Sequence, residues 1–257
     1  MKVMNRVWMS CLAIVCAMAT TNVVQGQDLP DAKTVISKHL AAIGSVDEMK
    51  AAKSMLTEAT MSMPGGPNGD MSASVKMKQK DGKAVSIIEI DQLGQMRQGT
   101  DGKVFWSLNP FTGPQLMDKE SLGANAEEMA FVFPAVKWLD QLDKIKVVGL
   151  EEVDGKKCYK LDFEGDKSTT SRYFDKDTML ISKTSTVVEQ MGQTMDIDVF
   201  TSDYKKVGGF MIAHKQVTAT PQGEMTMTME KIEINADLDD ADFELPKEIK
   251  DLVEKKK

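Results

Sequence analysis

The sequence predicts a mainly β protein with accessory helices (α+β): an antiparallel sheet, strongly curved around its core, with helices on its concave side. Three observations predict it. Apolar and polar residues alternate with period two through most of the chain from Met55 onward. Turn signals, among them Asp81-Gly82-Lys83, Asp101-Gly102-Lys103 and Asp154-Gly155-Lys156, punctuate that alternation at short intervals. Helical spacing occurs in only two places, residues 31–52 and 127–142.

The first residues read as an export signal. Lys2 and Arg6 precede an apolar run from Val7 to Ala19, which is too short to span a bilayer comfortably. Val24-Gln25-Gly26 suits cleavage before Gln27, so residues 1–26 are assigned to a signal peptide. Cys16 follows Ala13-Ile14-Val15, which lacks the small residue a lipid-attachment site needs just before the cysteine, so no lipid anchor is expected.

Asp31 then caps a helix that carries Val35, Ile36, Leu40 and Ile43 on one side and ends at Gly44. A second short helical piece covers 46–52. Strands are expected over 55–63, 72–79, 84–91, 95–100 and 103–108, with a loop at Pro64-Gly65-Gly66-Pro67-Asn68-Gly69. After a loop through Gly113-Pro114, residues 127–142 read as a helix with Met129, Val132, Val136 and Leu139 as its stripe, divided by Pro134. Strands resume over 146–153, 157–164, 171–175, 180–189, 194–204, 211–220 and 224–234. The three Asp-Gly-Lys turns do not mark a repeat, because the strands around them do not match one another. Asp242-Phe243-Glu244-Leu245-Pro246 closes the chain before a solvated Lys255-Lys256-Lys257 tail. Residues 27–257 therefore read as a single domain.

The net charge of −7 becomes more negative without residues 1–26, which hold Lys2 and Arg6 and no acidic residue. An acidic chain is repelled by nucleic acid and by anionic membrane surfaces, so neither is expected as a partner. Cys158 alone remains after the leader, which leaves no internal disulfide and puts the burden of stability on the core.

Catalytic equipment is thin. His39 and His214 stand without a neighbouring nucleophile, and Glu151-Glu152, Asp196-x-Asp198 and Asp239-Asp240 read as solvating charge. No enzyme activity, metal centre or cofactor is expected. Methionine is the anomaly: of 20, only Met1, Met4, Met9 and Met18 lie in the leader. Met61 and Met63, and again Met225, Met227 and Met229, fall at strand spacing on one face. Such rows fill irregular core gaps, line a cavity that re-packs around varied ligands, or supply soft thioether ligands to Cu(I).

The stretch Asp101-Gly102-Lys103-Val104-Phe105-Trp106-Ser107-Leu108-Asn109-Pro110-Phe111 resembles the matching strand of the periplasmic lipoprotein-carrier family, the LolA-like or outer-membrane lipoprotein-sorting proteins. Leu40-Ala41-Ala42-Ile43-Gly44, Arg172-Tyr173-Phe174-Asp175 and Asp203-Tyr204-Lys205-Lys206-Val207-Gly208-Gly209 are similar to other parts of that family. The resemblance implies an incompletely closed β-barrel whose cavity holds lipid or lipoprotein acyl chains in the periplasm. It implies exchange with a membrane donor complex and an outer-membrane acceptor, and a monomeric carrier. The expected lining is Met61, Met63, Ile88, Ile90, Trp106, Met225, Met227 and Met229. The expected lid is Met129, Phe131, Val132, Phe133, Val136, Trp138 and Leu139. Arg97, just before the Trp106 strand, is the expected counterpart of the family's gating arginine. Late in the chain, Ala213 in Phe210-Met211-Ile212-Ala213-His214 stands where the family has proline, so the fold carries over more safely than the trafficking role. A sensor or protein-interaction module on the same scaffold and a Met-rich Cu(I) binder stay open beside the carrier.

Overall fold

The computed structural model describes residues 29–66, 69–90, 93–117, 129–165, 169–190, 193–221 and 223–255. The assigned signal peptide with Cys16, residues 127 and 128, and Lys256-Lys257 lie outside the described residues.

Helix α1 (Ala32–Ile43) starts where the Asp31 carboxylate accepts the Thr34 N–H at 2.6 Å, and α2 (Val46–Ala51) starts at Ser45. Val35, Ile36 and Leu40 are buried against the sheet, which is the face their spacing predicts. Thirteen strands follow among the described residues: β1 (Ser54–Gly66), β2 (Gly69–Lys80), β3 (Lys83–Ile90), β4 (Gly94–Thr100), β5 (Phe105–Asn109), β6 (Gly113–Met117), β7 (Ile145–Val153), β8 (Lys156–Glu164), β9 (Thr169–Asp175), β10 (Ile181–Gln190), β11 (Gln193–Val207), β12 (Phe210–Thr220) and β13 (Gly223–Ile234).

All thirteen form one antiparallel sheet in the order β6-β5-β4-β3-β2-β1-β13-β12-β11-β10-β9-β8-β7. Two meanders therefore run outward from the central β1–β13 pair, and the terminal strands β6 and β7 stay unpaired with each other. The sheet curves without closing. This is the half-open barrel the sequence predicts.

Asp81-Gly82 and Asp154-Gly155 make two-residue hairpins with positive φ at both positions (48° and 80°, 48° and 77°). Asp101-Gly102 differs. Thr100 pairs with Phe105, so residues 101–104 form a four-residue loop, with the Asp101 carboxylate accepting the N–H groups of Lys103 and Val104. The predicted strand 103–108 accordingly starts at Phe105.

A bulge matters for the concave face. The β1–β13 pairing passes from Glu58–Lys231 to Ala59–Met229 and skips Glu230. Met225, Met227 and Met229 on one side of the bulge thereby share a face with Ile232 and Ile234 on the other.

Three expectations are corrected. The loop at Gly113-Pro114 is strand β6, paired with β5. Residues 127–142 are not one helix where described: Pro134 opens a 3₁₀ helix, Pro134–Asp140, followed by a second, Leu142–Lys144. Between Pro246 and the expected tail at Lys255-Lys256-Lys257, where no element is expected, α3 (Lys247–Lys255) packs on the convex side of β3–β6. Its Ile249, fully buried, meets Val85 and Trp106, with Leu252 and Val253 beside it.

Candidate functional site

Strand parity builds the concave wall. Following the register from β1 to β4, Thr57, Met77, Ser86 and Gln98 lie side by side. From β11 to β8, Val199, Thr184, Arg172 and Leu161 form the equivalent row on the other arm. Between this wall, α1 and the segment 129–138 lies a cavity of about 670 Å³. That volume is in the range of small-ligand sites.

Both arms mix apolar and polar side chains: β1–β4 present Met55 and Met77 with Thr57, Ser86 and Gln98, and β9–β13 present Ile181, Val199, Met227, Met229 and Ile232 with Thr184, Thr186, Thr201, Tyr204 and Gln216. The lining segment 129–138 is pinned from below: the Gln79 side-chain amide donates to the Met129 carbonyl at 2.7 Å and to the Phe131 carbonyl at 3.2 Å. At its other end Trp138 stacks on His39 at 5.7 Å and meets the edges of Phe163 and Phe174 at 5.0 and 6.3 Å.

Arg172 is 4 % exposed, and its guanidinium sits 4.7 Å from the Trp138 ring and 4.4 Å from Phe163. The His39 Nδ1–H donates to the Met179 carbonyl, 2.8 Å away. Because the carbonyl only accepts, Nδ1 carries the proton. Burial lowers the imidazole pKa to about 4, against the upward pull of that hydrogen bond, so the ring is neutral near pH 7. The Tyr204 hydroxyl donates to the Ile181 carbonyl at 2.9 Å, and burial raises its pKa. Arg172 is thus a buried charged side chain in the wall, beside the neutral His39 and Tyr204. This arrangement suits holding a ligand; among the described residues no three His, Cys, Asp or Glu side chains gather in metal-binding geometry.

Of the expected lining, Met227 and Met229 face the cavity. Met61, Met63, Ile88, Ile90 and Met225 share the same concave face and extend it as a cluster with Ala59, Ala73 and Val75. Trp106 does not join them. Gly99 pairs with Trp106 while Thr100 pairs with Ala84 and Phe105, which puts Trp106 on the convex face with Val85 under α3. Arg97 shares that convex face, 5.8 Å from the Trp106 ring, and so lies outside the cavity.

Of the expected lid, Met129, Val132, Phe133 and Trp138 line the cavity, and Val136 and Leu139 pack into the core beside α1. Phe131 turns aside, with the Lys137 ammonium 3.1 Å over its ring. The sequence reading missed Arg172, the threonines of β10 and Tyr204. Thr184 and Thr186 at period two, opposite a strand carrying an arginine, were the available signal.

No family model and no curated relative matches the chain. Solved structures do. A LolA superfamily protein from Nitrosomonas europaea superposes with a TM-score of 0.58 at 13 % identity, covering 84 % of this chain and 99 % of that one. A DUF1329 family protein from Desulfovibrio piger gives 0.57 at 18 % identity over 84 % and 98 %. A putative outer-membrane lipoprotein-sorting protein domain from Vibrio parahaemolyticus gives 0.55 at 12 % identity over 82 % and 95 %. The chain has the LolA-like fold. Among the described residues no helix is long and apolar enough to cross a membrane.

Proposed function

We propose that this chain is an exported carrier that sequesters lipid, or the acyl chains of a lipid-modified protein, in its concave cavity. The observation that carries the reading is the cavity of about 670 Å³ between the LolA-like sheet and the segment 129–138. In this reading residues 1–26 are removed on export and residues 27–257 act as one monomeric domain in the periplasm. Segment 129–144 is the lid, and Arg172, stacked on Trp138, takes the gating place expected of Arg97.

Sequestration needs no catalysis. Each CH₂ moved from water into an apolar site gains about 0.8 kcal/mol. A long chain is therefore held firmly and passes on only to a better apolar site, such as a membrane acceptor. The lining methionines Met55, Met77, Met227 and Met229 re-pack around chains of different length, because thioether side chains are unbranched and polarizable.

Native mass spectrometry of the protein purified from its own compartment without detergent, followed by solvent extraction, tests this. The expected result is a heterogeneous mass excess in the range of a phospholipid or acylated peptide. A clean apo mass would contradict stable carriage and favour a sensing module on the same scaffold.

A further inference from the structure

We propose that the methionine corner of the concave face is a binding site for Cu(I), held by thioether sulfurs alone. The register carries this. Met61 of β1 stands directly opposite Met227 of β13, and Ser62 opposite Thr226. The next same-face positions on the two strands are Met63 and Met225. Directly opposed positions lie about 5 Å apart and same-face neighbours along a strand about 7 Å apart. The four methionines thus occupy the corners of a small rectangle on one face, and all four belong to one packed cluster. Across β1 on the other side, Met71 stands opposite Met63 and supplies a fifth thioether in reach of the same corner.

The chemistry of the donor set selects the ion. Thioethers are soft, neutral ligands, which suit a soft monovalent cation and serve Zn(II), Mg(II) or Ca(II) poorly. Methionine has three rotatable side-chain bonds, so several sulfurs can converge on one ion without backbone movement. Met61 is buried while Met63, Met225 and Met227 are half-buried, which leaves the corner both apolar and reachable. Ordinary packing does not require four thioethers in two adjacent cross-strand positions; leucine or isoleucine, as at Ile88 and Ile90 on the same face, fills such a surface equally well. Met227 is shared with the cavity lining, whereas Met61, Met63 and Met225 lie beyond it on the same face, so metal binding can be read without lipid.

Titration of the purified protein with Ag(I), a redox-inert probe of the same softness, and with Cu(I) set by a competing chelator tests the site. One equivalent should bind, and the methyl resonances that shift should be those of Met61, Met63, Met225 and Met227. M61L/M227L, which preserves apolar volume, should weaken binding about tenfold or more, while M117L leaves it unchanged. Affinity should be the same at about pH 7 and about pH 5, because thioethers do not titrate, unlike imidazole or thiol ligands. Absence of binding, affinity that falls with pH, or equal loss in M117L would overturn the proposal. Should M61L/M227L fail to fold, the methyl shifts of the unaltered protein decide it.

Discussion

Two tryptophans, each beside an arginine, sit on opposite faces of one sheet and do different work. Trp138 lies on the concave side under Arg172 at 4.7 Å, against His39 and Phe174, with one flank open to the cavity. Trp106 lies on the convex side near Arg97 at 5.8 Å, 1 % exposed beneath Ile249 of α3. The chemistry of the two pairs is alike, so side-chain type does not distinguish a binding wall from a structural clamp. The sheet face does: the pleat turns Trp106 and Arg97 toward the side covered by α3, whereas Arg172 points to the opposite side, where the 3₁₀ helix brings Trp138 over it.

The largest expected effect separates the two tryptophans. Trp106→Ala should cost about 3–5 kcal/mol of stability in urea denaturation, as truncation of a fully buried aromatic does, with lipid content per folded molecule unchanged. Trp138→Ala should cost less, since part of its surroundings is already empty, and should lower lipid retention. Reversed outcomes would break the comparison.

A pH dependence should belong to the concave pair only. The folded protein holds His39 neutral with a pKa of about 4, whereas the unfolded imidazole titrates near its ordinary 6.5. Between those values the unfolded chain binds more protons, so stability is complete above pH 6.5 and is lost as pH falls toward 4, by about 3 kcal/mol. Denaturation midpoints measured across that window should fall more steeply in the unaltered protein than in His39→Gln.

Next in size is the seat of Trp106. A Cβ added at Gly99 would come 2.3 Å from the Ala84 carbonyl oxygen and 3.1 Å from the Trp106 ring. Gly99→Ala should therefore cost about 1–3 kcal/mol, read by thermal unfolding, through displaced backbone beneath the tryptophan. Gln79→Leu should have the smallest global effect, about 1–2 kcal/mol, because only two hydrogen bonds to the segment 129–131 are lost. Its local effect should be clearer: amide exchange over the 3₁₀ helix Pro134–Asp140 should quicken while that of α3 stays unchanged.

Most strands were legible because period two survives in half-buried sheet, and the Asp81 and Asp154 turns carried the residues their geometry requires. What alternation did not convey was which face is which. The run Val85-Ser86-Ile87-Ile88-Glu89-Ile90 is apolar on both sides, because the cavity takes one and α3 covers the other. Counting register through the two hairpins after Ile88 would have separated Trp106 from Ile88 and Ile90. The cover itself had a signal: Ile249, Leu252 and Val253 fall at helical spacing after Pro246, in a short stretch left without an element before the lysine tail. Arg172 was harder to see, since β9 is buried on both faces, Tyr173 on one and Arg172 with Phe174 on the other, and alternation alone does not say which faces the cavity.

The most direct measurement of the central claim uses the same two tryptophans. Fluorescence should be recorded as a phospholipid brominated along its acyl chains is added to the protein and to W106F and W138F. A chain held in the concave cavity lies against Trp138 and is shielded from Trp106 by the sheet. Strong quenching should persist in W106F and disappear in W138F. Quenching that is absent throughout, or that survives in W138F, would contradict a lipid site on the concave face.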